Sequence, residues 1–560
     1  MECYKIVLTE TVKSLSRDEF LTAYESHVAS DDEEAAALLL IERCRNDVEM
    51  FALAFFPHYC KHPFNEFHRA MFADWRFPAR AVRQVDAAPR GHAKSTIKTL
   101  IKPIHDVCYA LESFIIIVSD TAGQASGKLK DIRSELLENV VLCAHFGPFF
   151  DSKRVAETSY VARSGDHRCK FEAYGAGSEI RGIRYKESRP SKIIIDDGEN
   201  SDEVHNEELR SKREDWLKQV ISKLGDENTN IEVVGTKLHR QSMLANLLVN
   251  PRYSARTYKA IVSWSDREDL WGKWRATYVN LDNPERHTEA LAYYKAHEAA
   301  MTAGTEILWP GRYTYYALME ELIEVGKKAF LKEMQNDPVA NDEALFDTFH
   351  WYTETAEGFL IEKTGVLIPH AHLSPALGAL DPATGQTKAK SGKLGDFSSL
   401  LTGYTDAKGR LFVHHDWTKR APPTKWIAAI FDLHERFGTE KLAVETNLYR
   451  DLLLPNIETA KKEREKERRR NKVPSWGINI KFYDVVNVDN KIKRIYTLEP
   501  KVENGYILFN KALSGEFKNQ METFPLGEHD DGPDALEMLW SLANGRYQMG
   551  GLSIQAQRGR

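Results

Sequence analysis

The chain has 560 residues, an ordinary apolar fraction of 42% and a formal net charge of −6. That length exceeds one core, so two large domains with additions are expected, and the charge excludes a uniformly basic nucleic-acid coat while allowing a local basic groove. The six cysteines all fall in the first third without a C-x-x-C pair, and the aliphatic-aromatic runs, such as residues 114–118, are too short for a membrane span; residues 1–20 also lack a signal-peptide core, so a soluble intracellular protein with reduced thiols and no membrane partner is expected.

Residues 1–45 read as a short helical appendage, with Ala and Leu at helical spacing over 33–45. Aromatic residues follow at 51–57 and 63–68, where Phe64, Phe67 or His68 would stack on a nucleobase or simply fill a core. An alternating run at 82–87 then reads as a strand leading into Ala88-Pro89-Arg90-Gly91-His92-Ala93-Lys94-Ser95-Thr96 and an apolar-periodic helix over 97–111. A strand, a small-residue loop and Lys-Ser-Thr at a helix start are the parts of a phosphate cradle. The backbone amides of residues 90–96 would face the phosphates of ATP, Lys94 would reach the β- and γ-phosphates, and Ser95 would hold Mg²⁺. The spelling departs from the usual pattern, because Ala88 and Ala93 stand where glycines are common. Arg90, within the loop, is the candidate charge-stabilising arginine.

Buried-type strands follow at 114–118, 170–174, 191–197 and 230–236, alternating with helices. Continuous apolar strands of this kind predict a parallel sheet covered on both faces, with ligands at the carboxyl ends of the strands. Those ends carry Asp196-Asp197 and Gly235-Thr236. Asp196 suits a Mg²⁺-holding acid, and either Asp197 or Glu199 would polarise the attacking water. Arg181 and Arg184, on the loop before Asp196, are further candidates for a γ-phosphate or DNA contact. Residues 46–345 are therefore read as the ATPase domain, its last hundred residues helical and rich in Trp.

Periodicity lapses over 346–370, which is read as a linker, and resumes in a second domain, 371–546. A strand at 377–381 ends in Asp381, a hairpin spans 397–417, an amphipathic helix covers 423–437, and a strand at 441–445 ends in Glu445. Asp531 and Asp534 open a later helix three residues apart, on one face. Acids at a first strand end, a later parallel strand end and a closing helix suit two Mg²⁺ or Mn²⁺ ions cutting a phosphodiester. Asp396 is a possible fourth acid, the charged run 461–472 reads as a solvated helix or a phosphate-contacting arm, and 547–560 reads as a flexible tail.

The order of these motifs resembles the large terminase subunit of tailed bacteriophages, over roughly residues 50–545. The resemblance implies a P-loop ATPase of the additional-strand class followed by an RNase H-like α/β nuclease. It implies a motor that drives double-stranded DNA into a procapsid through the portal protein and a metal-dependent endonuclease that cuts concatemers. The implied partners are portal, procapsid and a small terminase subunit, with a homo-oligomeric ring on the portal. The implied place is the host cytoplasm and, transiently, the portal, with none in the mature virion. Carried over residue by residue, Lys94 and Ser95 bind phosphate and Mg²⁺, Arg90 is the arginine finger, Asp196 is the Walker B acid, and Gly235-Thr236 is the coupling motif. Asp381, Glu445 and Asp531/Asp534 become the nuclease ligands. A repair helicase-nuclease is the alternative enzyme, against which the absence of a tandem motor domain in the sequence counts; an adaptor with decayed sites is the non-catalytic one.

Overall fold

The apolar runs of the sequence become strands of two separate sheets. The computed structural model describes residues 19, 22, 26, 33–73, 81–151, 156–180, 182–201, 203–204, 206–338, 344–383, 396–445, 450–471, 480–485 and 491–547. Residues 1–267, 302–320 and 328–339 form one unit, and residues 268–301, 321–327 and 340–560 the other.

The first unit is built on β1 (Arg83–Ala87), β2 (Phe114–Ser119), β3 (Ser159–Ser164), β4 (His167–Gly175), β5 (Lys192–Asp196), β6 (Asn230–Gly235) and β7 (Ser254–Thr257). They lie in the order β3-β4-β2-β5-β6-β1-β7, all parallel except β3. Because β6 lies between β1, which leads into the loop, and β5, which ends in Asp196, this is an additional-strand P-loop sheet. Side chains alternate across a strand, and both faces are covered. Ile115, Ile117 and Ile194 pack with Ile97 and Ile101, while Ile116, Val118, Ile193 and Ile195 pack with Trp216 and Leu217. A short ribbon, β8 (Ile261–Ser263) with β9 (Glu306–Ile307), completes the strands of this unit.

The helix expected over 97–111 forms in two pieces, π-type turns at Thr96–Ile101 and an α-helix at Lys102–Cys108. Under it lies a buried ionic cluster. Lys98 is 3.2 Å from Asp86 and 3.4 Å from Glu232, and Lys192 is 2.7 Å from Asp106 and 2.9 Å from Glu232. Lys102 pairs with Asp106, and Arg256 with Asp86 at 2.7 Å. Charges this deep persist only because each meets an opposite partner. The helix Glu33–Asn46, within the expected appendage, packs into the same core: Leu39 and Cys44 are buried, and Cys44 O accepts from His105 Nε2 at 3.0 Å.

The second unit differs from the segmentation expected from the sequence. Helices Glu268–Tyr278 and Arg286–Met301 belong to it, joined by Trp271 against Tyr294. Residues 346–370, expected as a linker, contribute β10 (Trp351–Glu354), β11 (Gly358–Ile361) and β12 (Leu367–Pro369). These strands are three or four residues long, too short for their alternation to register as a period. The sheet continues with β13 (Leu377–Asp381), β14 (Ser398–Thr405), β15 (Leu411–Lys419), β16 (Lys441–Glu445), β17 (Lys481–Val485) and β18 (Ile507–Asn510). Within its order, β12-β11-β10-β18-β15-β14-β13-β16-β17, the five strands from β15 to β17 carry the RNase H-like pattern. There β13, β14 and β15 form an antiparallel meander, and β16 and β17 run parallel to β13.

Period-two alternation sets the site face of this sheet. Ala379 and Ala443 pack under Ala535, Leu536, Met538 and Leu539 of the helix Asp531–Ala543, whereas Leu380 and Val444 pack with the helix Pro423–Phe437 on the other side. Asp381 and Glu445, each two residues beyond its alanine, therefore share the face covered by the Asp531–Ala543 helix. Among the described residues no helix is long and apolar enough to cross a membrane. The tail beyond residue 547 and most of residues 1–32 lie outside the described residues.

Candidate functional site

Two groups of polar side chains gather at strand ends, one in each unit. In the first, the loop after β1 turns at Gly91 (φ +72°) and Ala93 (φ +59°). Ala93 thus adopts the left-handed conformation that a glycine usually supplies, at a cost of about 1 kcal/mol. At Gly91 a Cβ would lie 2.7 Å from Tyr313 Oη, so any other residue would add displacement of that ring to the left-handed strain. The loop delivers Lys94, whose Nζ donates to Thr236 Oγ1 at 2.9 Å and lies 3.9 Å from Asp197 Oδ1. Ser95 Oγ donates to Asp196 Oδ1 at 2.9 Å, and Thr99 Oγ1 to Asp196 Oδ2 at 2.8 Å. Thr96, half-buried, opens the π-type turns that carry Thr99. Lys94, Ser95, Asp196, Asp197 and Thr236 are thereby brought together from β1, β5 and β6.

Lys128 adds a cation that sequence reasoning missed. From the helix Ala122–Glu138 its Nζ lies 2.7 Å from Asp196 Oδ2 and 2.8 Å from Asp196 O. A lysine on a helix face carries no sequence signal for such a role. Asp197 follows with φ +51°, a left-handed turn that Asp tolerates, and half of its side chain is exposed. Burial raises its carboxyl above the ordinary range while Lys94 opposes the rise. Glu199 is differently employed: its oxygens accept from the amides of Met243 (2.6 Å) and Leu244 (2.9 Å), at the start of the helix Met243–Leu248.

Other sequence-named groups have distinct surroundings. Arg90 is exposed, its amide donating to Glu333 O at 3.1 Å and its guanidinium 3.8 Å from Glu333 Oε2. His92 is buried, stacked on Tyr313 at 4.8 Å with Nδ1 2.9 Å from Arg90 O, and burial lowers its pKa to about 4. Its side chain is therefore neutral packing against Tyr313. Phe67 and His68 are likewise buried against Trp309, at ring separations of 6.3 and 4.4 Å, which leaves half-buried Phe64 as the accessible ring of the three base-stacking candidates. Arg181 lies outside the described residues.

In the second unit the alternation derived above brings Asp381, Glu445 and Asp534 to one point. One carboxylate oxygen from each lies within 4.8 Å of the others. Burial raises the Asp381 and Asp534 carboxyls above their ordinary range, and neighbouring acids add to the rise. Hard oxygen donors at this spacing fit Mg²⁺ or Mn²⁺. Two cations missed by the sequence reading face them from the helix Lys491–Tyr496. Lys491 Nζ lies 3.3 Å from Asp381 Oδ2, 2.8 Å from Asp530 Oδ1 and 3.3 Å from Asp534 Oδ2. Arg494 reaches Asp534 at 2.9 Å and Glu537 at 2.6 Å.

Asp531 has a different immediate company from the other three acids. Its carboxylate joins Asp396 and His529 in a second group. Arg420 Nη2 lies 2.7 Å from His529 Nε2 and can only donate, so Nδ1 carries the ring proton and donates to Asp396 Oδ1 at 2.9 Å. Both ring nitrogens of His529 are thus engaged, by Arg420 and by Asp396, with the Asp531 carboxylate close beside them. Burial and the Asp396 charge push the Asp531 carboxyl up to about 7. The charged run forms part of the helix Arg450–Arg470, where Arg464 and Arg468 each reach Glu435 at 3.0 Å. One side of that run is thus tied to the helix Pro423–Phe437 while Lys462, Lys466 and Arg469 stay exposed.

No protein-family model and no curated protein matches the chain. Among solved structures it is similar to the large terminase of a thermophilic bacteriophage, with 10% identity, 86% of this chain and 99% of that one covered, and a TM-score of 0.44. The likeness is to large terminases. The bacteriophage HK97 large terminase gives 10% identity, coverage of 89% and 99%, and a TM-score of 0.31. The human cytomegalovirus terminase nuclease domain gives 11%, 32% and 89%, and 0.21.

Proposed function

We propose that the chain is a viral DNA-packaging enzyme, an ATPase in its first unit and a metal-dependent DNA endonuclease in its second. The observation that carries this reading is the presence, in one polypeptide, of two separate polyphosphate-handling centres. One joins Lys94, Ser95, Thr236 and the Asp196-Asp197 pair on an additional-strand sheet; the other joins Asp381, Glu445 and Asp534 on an RNase H-like sheet.

In the ATPase, Lys94 and the amides of residues 90–96 bind the phosphates of ATP, and Ser95 and Asp196 hold its Mg²⁺. Asp197 is the water-orienting acid, since Glu199 is occupied by two backbone amides. Arg90, exposed beside the loop, stabilises charge on the transferred phosphoryl group. Thr236, bonded to Lys94, reports the state of the phosphates to β6. In the nuclease, Asp381, Glu445 and Asp534, with Asp531 alongside, would hold two Mg²⁺ or Mn²⁺, which supply a water nucleophile and stabilise the leaving oxygen. The substrate is double-stranded DNA, moved into a procapsid through its portal by a ring of this chain and delivered by a small terminase subunit, in the host cytoplasm.

Paired variants test the division of labour. Lys94→Ala should abolish ATP turnover and leave Mn²⁺-dependent cutting of plasmid DNA largely intact, while Asp381→Ala should do the reverse. Equal loss of both activities in either variant would refute two independent centres. With empty capsids and ATP, the unaltered chain should shelter DNA from added nuclease; strand separation without capsids would point to a helicase instead.

A further inference from the structure

The nuclease centre holds a cation of its own. Lys491 Nζ contacts three carboxylates, Asp381, Asp530 and Asp534, two of which belong to the trio whose oxygens converge. We propose that Lys491 is a tethered counter-cation of this centre, which a divalent ion must displace from Asp381 and Asp534 before the centre is loaded. The inference rests on the nuclease reading above and adds a control step to it.

Net charge alone would let a divalent ion and Lys491 coexist; it is their shared ligands, Asp381 and Asp534, that argue for displacement. Among the described residues, Asp381, Glu445, Asp530, Asp531, Asp534 and Glu537 are six acids set against two bases, Lys491 and Arg494, an excess of four negative charges when all are ionised. Arg494 is fixed by a fork of two contacts and is 14% exposed. Lys491 is a third exposed and ends a flexible four-carbon stem, so it is the cation able to withdraw into water. A divalent ion held by Asp381 and Asp534 repels an ammonium 3.3 Å from Oδ2 of each, and the ion with more charge and more ligands prevails. Metal affinity is therefore set partly by how readily this side chain leaves.

Mn²⁺ binding to the full chain, measured by calorimetry without DNA, tests the proposal. Lys491→Gln should tighten the nuclease-site Kd by about tenfold or more, since a competing charge is gone. Lys491→Arg should remain within about threefold of the unaltered chain, as should Lys493→Gln, an exposed neighbour on the same helix. Amine-reactive labelling of Lys491, followed by mass spectrometry, should rise when Mn²⁺ is added and stay flat in Asp381→Asn. If Asp381→Asn abolishes Mn²⁺ binding while Lys491→Gln leaves it unchanged or weaker, the counter-cation proposal is overturned and the nuclease reading stands. If Asp381→Asn binds Mn²⁺ like the unaltered chain, both fall.

Discussion

Replacing Lys192 with Met probes the buried cluster beneath the ATP site. Lys192 opens β5, is 1% exposed, and bridges Asp106 at 2.7 Å and Glu232 at 2.9 Å. Glu112, 4% exposed, also feels the Lys192 charge, so removal of the lysine leaves Asp86, Asp106, Glu112 and Glu232 facing Lys98, Lys102 and Arg256, a buried negative excess of one when all are ionised. Breaking a buried ion pair from one side costs about 3–5 kcal/mol. Because each 1.4 kcal/mol is tenfold in an equilibrium constant, amide exchange protection in β5 and β6 should fall by roughly two to four orders of magnitude. Native-state hydrogen exchange with peptide resolution suits a two-unit chain, for which a single unfolding free energy is ill-defined. Adding Asp106→Asn to Lys192→Met restores the charge balance and should recover at least half of the loss. Mg²⁺-nucleotide affinity should drop with the single variant, because β5 carries Asp196 at its far end. A loss of protection under tenfold, or a double variant worse than the single by the full cost of Asp106→Asn alone, would refute the pairing argument.

The other expectations are simpler to read. Ala93→Gly should stabilise the first unit by up to about 1 kcal/mol and retain nucleotide binding, whereas Ala93→Val, a β-branched residue in a left-handed turn, should lower the melting temperature and abolish binding. Glu199→Gln should cost about 1–2 kcal/mol by weakening the bonds to Met243 and Leu244, yet leave ATP turnover within about threefold; Asp197→Asn should all but stop it, and the opposite pattern would move the water-orienting role to Glu199. His68, His92 and His105 are buried neutral, their pKa values lowered to about 3, 4 and 3 by burial. The unfolded chain takes up protons below about pH 6.5 while the folded one resists until about pH 4 or 3, so stability is fully present above 6.5 and drains as pH falls through that window. Carboxyls raised by burial, such as Asp531, act in the opposite direction over the same window, so the histidine contribution is read as a difference: melting temperature should fall less steeply from pH 7 to 4 in His105→Gln than in the unaltered chain, and parallel profiles would contradict the burial.

Much of this protein was legible along the chain because its chemistry is local. Continuous Ile and Val runs require a sheet covered on both faces, and Lys-Ser-Thr at a helix start and acids at strand tips are short-range patterns. Even the joint placement of Asp381 and Glu445 follows from two-residue alternation once β13 and β16 pair in parallel. Other features depended on which distant segments meet. Glu199 was indistinguishable from a base until its oxygens were found on the amides of Met243 and Leu244, about 45 residues away. Asp531 and Asp534, three apart on one helix, divide between two groups because Asp396 and His529 approach only the first. Residues 346–370 looked like a linker because their strands are too short to show a period; they pair with one another and join the rest of the sheet through β18, some 150 residues later. Lys128 and Lys491 had no signature at all, since a lysine on a helix is ordinary until the fold sets a buried carboxylate against it. Local pattern decides which groups a strand end offers; long-range pairing decides which of them are neutralised, which are spent on backbone, and which remain for chemistry.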